Sequence, residues 1–235
     1  MTIHVGMVGS DGIVLAGDTL TWDNPHPDSI QFRQGLSTSM NQTVSKIKIG
    51  GDRKVAVSCA GYLREAYPLA ESIIANLSLE LWEHPETHIQ QIAKSYAASR
   101  PHWRDTQFLV LLSKPVPAIY LLDCVADEKT NELLVECRNV PFYAFDGDAL
   151  NGAIFWAMRY YRSLPPEMRT LQRLMRLAAQ IVADAGTLNS GNVGGLEMIY
   201  CDSTGIRQLT NRENADLLQE AQQRSDQIQQ LILGE

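Results

Sequence analysis

Thr2, Asp18 and Lys46, followed by the dipeptide Ala60-Gly61, bring together the ingredients of acyl transfer. A threonine hydroxyl is a weak nucleophile at its ordinary pKa and needs a base beside it. Removal of Met1, which a small residue at position 2 permits, leaves Thr2 carrying its own base. That base is a free α-amine, whose reference pKa of about 7.7–8.0 lies near working pH. An ammonium such as Lys46 lowers the cost of ionising the Thr2 hydroxyl, and Asp18 can hold that ammonium charged and oriented. A backbone N–H at Gly61, where a strand gives way to a helix, suits the oxyanion of a tetrahedral intermediate. Taken singly, each residue has a plainer reading. Thr2 is a β-former, Asp18 a turn residue, Lys46 a solvated edge lysine and Gly61 a close-packing position.

The elements that must hold this set are legible from periodicity. Ile3–Val8 and Ile13–Ala16 are β-prone runs around Ser10-Asp11-Gly12, and Asp-Gly between such runs is a hairpin signal. The polar stretch from Thr19 to about Gln42 reads as a long loop or lid. Lys46–Ile49 and Lys54–Cys59 read as strands around Gly50-Gly51-Asp52. After Gly61, Leu63, Ala66, Ala70, Ile73, Ile74 and Leu77 recur at helical spacing, and Pro85 opens a second helix carrying Ile89, Ile92, Ala93 and Tyr96. Strands are expected at 107–113, 118–124, 133–138 and 142–145, and helices at 148–162 and 167–185. Strands return at 196–201 and 206–209. A last helix opens with the capping-box spacing Thr210-Asn211-Arg212-Glu213, its apolar face running Leu217, Ala221, Ile228, Leu231, Ile232. Segregated runs of strands and helices indicate an α+β class, with two antiparallel sheets packed together and helix pairs outside. With no internal repeat or linker, residues 1–235 read as one domain.

Composition removes several functions. The chain has 235 residues, 45% of them apolar, and a net charge of −7, which excludes an ordinary nucleic-acid binder because phosphate neutralisation needs clustered Lys and Arg. Lys114, Pro115, Pro117 and Asp123 interrupt the most apolar stretch, so no membrane helix is expected. Cys59, Cys124, Cys137 and Cys201 are widely spaced and read as reduced thiols of a cytoplasmic protein. The N-terminus lacks the charged and apolar regions of a signal peptide. His84 and His88 flank Glu86, but no third ligand spacing follows, so neither metal nor cofactor is expected. Gly191, Gly194 and Gly195 form a turn feeding a strand, not a phosphate cradle. Phe155, Trp156, Tyr160 and Tyr161 read as core plus subunit contact.

Thr2–Gly6, Asp11–Asp18, Gln42–Ile47 and Ala60-Gly61 together resemble the N-terminal third of proteasome β-type subunits. The pattern is shared by the HslV-like branch of these N-terminal-nucleophile hydrolases, which also begins at Met-Thr. A weaker likeness covers Val193–Tyr200, similar to the family's Gly-Gly stretch before a late strand. The resemblance implies a four-layer αββα sandwich, threonine-type hydrolysis of peptide bonds in unfolded polypeptides or peptides, and assembly into homo-oligomeric rings. It assigns Thr2 as nucleophile, Asp18 and Lys46 as its charged support, and Gly61 as oxyanion donor. Any ATP-dependent unfoldase feeding such a ring must be a separate polypeptide, since this chain has no nucleotide-binding motif.

The chain departs from the family pattern in three places. The stretch between Asp18 and Lys46 is about a dozen residues longer than usual, beside the expected substrate cleft. Phe145-Asp146-Gly147-Asp148 occupies the place of a Gly-Ser-Gly motif, so Asp146 stands where a supporting serine is expected. A supporting aspartate is replaced by Ser190 or by Thr187, depending on which glycines are aligned. The first alignment implies that Asp146 and Ser190 have exchanged residue types. Two other functions share the pattern: a non-catalytic ring subunit, which retention of Met1 would favour, and a small-molecule amidase closed by the 19–42 segment. The exchange predicts that Asp146→Ala lowers peptide turnover in a fluorogenic assay; unchanged turnover would remove it.

Overall fold

The strand His4–Val8 (β1) alternates its side chains between two apolar environments. Ile3, Val5 and Met7 share a buried cluster with Leu174, Ala178, Ile181 and Val182, whereas Gly6 lies against Ile119 and Leu109. The computed structural model describes residues 2–23, 40–61, 63–77, 83–99, 105–126, 133–147, 153–188 and 193–234. The remaining strands are Ile13–Gly17 (β2), Leu20–Asp23 (β3), Met40–Thr43 (β4), Ile47–Ile49 (β5), Val55–Gly61 (β6), Thr106–Leu112 (β7), Ala118–Ala126 (β8), Leu133–Asn139 (β9), Tyr143–Asp146 (β10), Glu197–Asp202 (β11) and Gly205–Gln208 (β12). The helices are Leu63–Leu77 (α1), Pro85–Ala98 (α2), Ala153–Ser163 (α3), Leu171–Leu188 (α4) and Asn211–Leu233 (α5).

Two five-stranded antiparallel sheets carry the structure, in the orders β10-β1-β2-β11-β12 and β5-β6-β7-β8-β9. The chain is therefore of the α+β class. Ile13, Leu15 and Ile199 of the first sheet share one buried cluster with Ile47, Ala56, Leu109, Leu111 and Ile119 of the second. The other side of the second sheet, at Val57, Cys59, Phe108 and Val110, clusters with Leu69 and Ile73 of α1 and Ile89 and Ala93 of α2. Each such Leu or Ile contributes roughly 1.5–3 kcal/mol on full burial, so a strand buried on both faces is held firmly in register. Among the described residues no helix is long and apolar enough to cross a membrane. All four cysteines are free thiols; Cys59, Cys124 and Cys201 are buried and Cys137 is half-buried.

Three expectations need correction. The 19–42 stretch is not all loop: β3 and β4 pair as an antiparallel ribbon with Leu20 opposite Thr43, while residues 24–39 lie outside the described residues. Each strand is only four residues long, so the alternation of Leu20 and Trp22 is too short to stand out from the polar stretch around it. The helix expected from Glu167 begins at Leu171, after a single 3-10 turn at Pro166–Met168. The Asp11 carboxylate, from the distant first hairpin, accepts a hydrogen bond from the Leu171 N–H at 2.7 Å and so defines that start. In α5 the capping box of Thr210 and Glu213 is present, but the apolar face is buried only as far as Ala221. Leu231 and Ile232 are 84% and 77% exposed. Among the aromatic residues, Tyr161 is buried and donates to the Val8 and Phe142 carbonyls, whereas Tyr160 is exposed. Asp11→Ala should lower stability by about 1 kcal/mol through loss of the α4 cap, measured by urea unfolding.

Candidate active site

Pairing of β1 with β2 places His4 opposite Gly17, so the residues just outside the ladder, Ile3 and Asp18, also meet. The Asp18 N–H donates to the Ile3 carbonyl at 3.2 Å, and the Ile3 N–H donates to Asp18 Oδ1 at 3.0 Å. This second bond ties the aspartate to the residue that follows Thr2. Lys46 enters from the other sheet, immediately before β5, and its Nζ donates to Asp18 Oδ1 at 2.9 Å and to Thr2 Oγ1 at 3.0 Å. Thr2 is half-buried, whereas the side chains of Lys46 and Asp18 are fully enclosed. Thus three residues spread over 45 positions form one hydrogen-bonded line from hydroxyl to ammonium to carboxylate.

Burial sets the electrostatics of this line. Removal from water drives the Lys46 pKa below its ordinary value, opposed by the charges of Asp18 and Glu197. The same burial drives Asp18 above its ordinary value, opposed by Lys46 and by the Ile3 N–H. An ammonium so placed, aimed at a hydroxyl oxygen, stabilises the alkoxide formed when that hydroxyl loses its proton.

Glu197 is the site residue that the sequence analysis missed. It opens β11, is buried, and accepts from the backbone N–H groups of Lys46 and Ile47 at 3.0 and 3.2 Å. Its other oxygen accepts from Ser45 Oγ at 2.7 Å and Gln208 Nε2 at 3.1 Å. The available signal was an acid set between the apolar residues Leu196 and Met198, where a strand would ordinarily bury a hydrophobic side chain.

His4 lies in the same buried layer. Its Nδ1 is 3.1 Å from Ser58 Oγ. Burial, aided by the nearby positive charge of Lys46, pushes its pKa down to about 3, so the ring stays neutral. Gly147 packs against the Thr2 backbone: at φ 104°, any side chain there would run into the Thr2 carbonyl. Gly61 ends β6 opposite Thr106 at φ 95°, where a side chain would strike the Asp105 carbonyl. Its glycine is thus required by backbone shape.

The structure brings Thr2, Asp18 and Lys46 together. It gives Asp146 a backbone position at the end of β10, opposite His4, but the Asp146 side chain and Ser190 lie outside the described residues, as does Met1. Thr187, the other residue aligned with the missing aspartate, lies in α4 and donates its hydroxyl to the Ala183 carbonyl one turn earlier. Among the described residues no group of three or more His, Cys, Asp or Glu is arranged to hold a metal ion. No family model and no curated protein matches the chain.

The depressed pKa of His4 makes a stability prediction with a definite sign. Above pH 6.5 the ring is neutral folded and unfolded, and stability is complete. As pH falls from 6.5 towards 3, only the unfolded chain takes the proton, so stability is lost. Between pH 7 and pH 5 this loss should be about 2 kcal/mol. Urea unfolding should show His4→Gln losing that part of the pH dependence.

Proposed function

We propose that this protein is a threonine-type N-terminal-nucleophile peptidase of the proteasome β-type/HslV-like family. The observation that carries the reading is the contact of the Lys46 ammonium with Thr2 Oγ1 at 3.0 Å, with Asp18 bound to the same ammonium at 2.9 Å. A buried lysine aimed at a threonine hydroxyl next to the chain terminus is costly and has a specific use in ionising that hydroxyl. The apolar clusters that link helices to sheet, sheet to sheet, and sheet to helices support a four-layer αββα sandwich.

In the proposed reaction, loss of Met1 frees the Thr2 α-amine. This amine takes the Oγ1 proton as the oxygen attacks the scissile carbonyl carbon. Lys46 stabilises the negative charge on the attacking oxygen, and the Gly61 N–H donates to the carbonyl oxygen as it becomes an oxyanion. Collapse of the tetrahedral intermediate breaks the C–N bond, and the Thr2 α-ammonium returns its proton to the leaving amine. The resulting ester on Thr2 is hydrolysed by water, with the α-amine again accepting and returning a proton. Substrates are peptides or unfolded polypeptides, and the working form is a homo-oligomeric ring, closed by rotational symmetry, with any unfoldase a separate partner.

Intact mass of protein purified from its native host is expected to lack Met1. A β-lactone probe should add once, at Thr2. Thr2→Ala and Lys46→Ala should each abolish hydrolysis of a fluorogenic peptide while sedimentation shows the assembly intact. Retained Met1 without labelling would point to a non-catalytic ring subunit. Labelling with turnover only of small amides would point to an amidase.

A further inference from the structure

We propose that Glu197 is a positioning residue for Lys46: its carboxylate fixes the backbone from which the lysine reaches Thr2 and supplies a second negative charge to the ammonium. This rests on the threonine-peptidase reading. Lys46 precedes β5, which among the described residues is an edge strand with a pairing partner on one side only. The Lys46 carbonyl is tied to that partner, accepting from the Cys59 N–H at 3.0 Å. Its N–H, which has no ladder partner, goes instead to Glu197 Oε2, as does the N–H of Ile47. Ser45 is held from both sides, its hydroxyl on Glu197 Oε1 and its carbonyl on the Tyr67 hydroxyl at 2.7 Å. Glu197 therefore clamps the start of β5 in one sheet to β11 in the other, across the gap that Lys46 must span.

The carboxylate accepts from all four donors at once. An amide at this position keeps one acceptor oxygen for the two backbone N–H groups, but its NH2 requires the Gln208 amide to turn over and the Ser45 hydroxyl to donate to the Ile47 carbonyl alone. The charge has its own consequence. Facing Lys46 are Asp18 at the end of β2, Thr2 and neutral His4 at the first strand, and Glu197 on β11. Tyr67 of α1, whose pKa is pushed up to about 12 by burial, stands uncharged behind Ser45. Asp18 alone balances the lysine, and Glu197 tips the enclosed groups to net negative. That surplus opposes the burial that lowers the Lys46 pKa and so favours the ammonium that Thr2 needs.

The test follows the Lys46 13Cε resonance through a pH titration and, separately, the rate of Thr2 acylation by a β-lactone. Glu197→Gln removes the charge and weakens the grip, leaving a neutral oxygen for the two backbone N–H groups. It should bring Lys46 titration down by about one pH unit and slow acylation about tenfold. Glu197→Asp keeps the charge but shortens the reach. Its Lys46 titration should stay near that of the parent while acylation slows about fivefold. A residue that merely supports the fold would lower Tm and leave both readouts unmoved in each variant, which would overturn the proposal. Should Glu197→Gln not fold, Glu197→Asp decides alone: parental acylation would overturn the positioning role. A parent protein that no β-lactone acylates would overturn the peptidase reading, while the Lys46 titration would still decide whether Glu197 sets its charge.

Discussion

An ammonium enclosed away from water is the constraint around which this protein is arranged. Removing a charge of that size from water costs several kcal/mol even after relaxation, and one missing partner leaves most of that cost uncompensated. Lys46 is 1% exposed, yet its Nζ has the carboxylate of Asp18 and the hydroxyl of Thr2 within 3.0 Å. The two come from either side of the β1–β2 hairpin, and the lysine from the other sheet. The position of Lys46 therefore reports how well the two sheets are assembled.

The two carboxylates near Lys46 have different duties because they meet different parts of it. Asp18 binds the ammonium itself and also receives the Ile3 N–H, which couples lysine placement to the chain beside Thr2. Glu197 binds the lysine's main chain, where an edge strand leaves an amide unpaired. His4 shows the same economy of charge in reverse. A second cation beside Lys46 would meet both burial and repulsion, and the ring stays neutral for those two reasons. Gly147 contributes by having no side chain, leaving room for the Thr2 carbonyl.

Much of the fold was legible because apolar period and turn chemistry are local. The hairpin at Asp11-Gly12, the helix after Gly61, the start at Pro85 and the Thr210 capping box all agree with the structure to within a residue or two. The failures are elements defined by partners. The β3–β4 ribbon consists of two four-residue strands held by backbone pairing, with the Thr19 and Leu20 N–H groups donating to the Gly194 carbonyl from far along the chain. The start of α4 depends on Asp11, 160 residues earlier. The far end of α5 has the apolar spacing of a buried face and yet is exposed, because periodicity states which residues share a face and not how far a neighbour extends along it.

The sequence by itself determined the types and order of Thr2, Asp18 and Lys46, the α+β class and a net charge of −7, since these follow from composition, spacing and local period. Only the tertiary structure decided that the three residues meet within hydrogen-bond distance. It alone revealed Glu197 as their support, because a lone acid in an apolar strand carries no mark of which amides it will face. The distinction is physical: a period of two or 3.6 residues is written along the chain, whereas the partner of a buried charge is settled only when two sheets close over it.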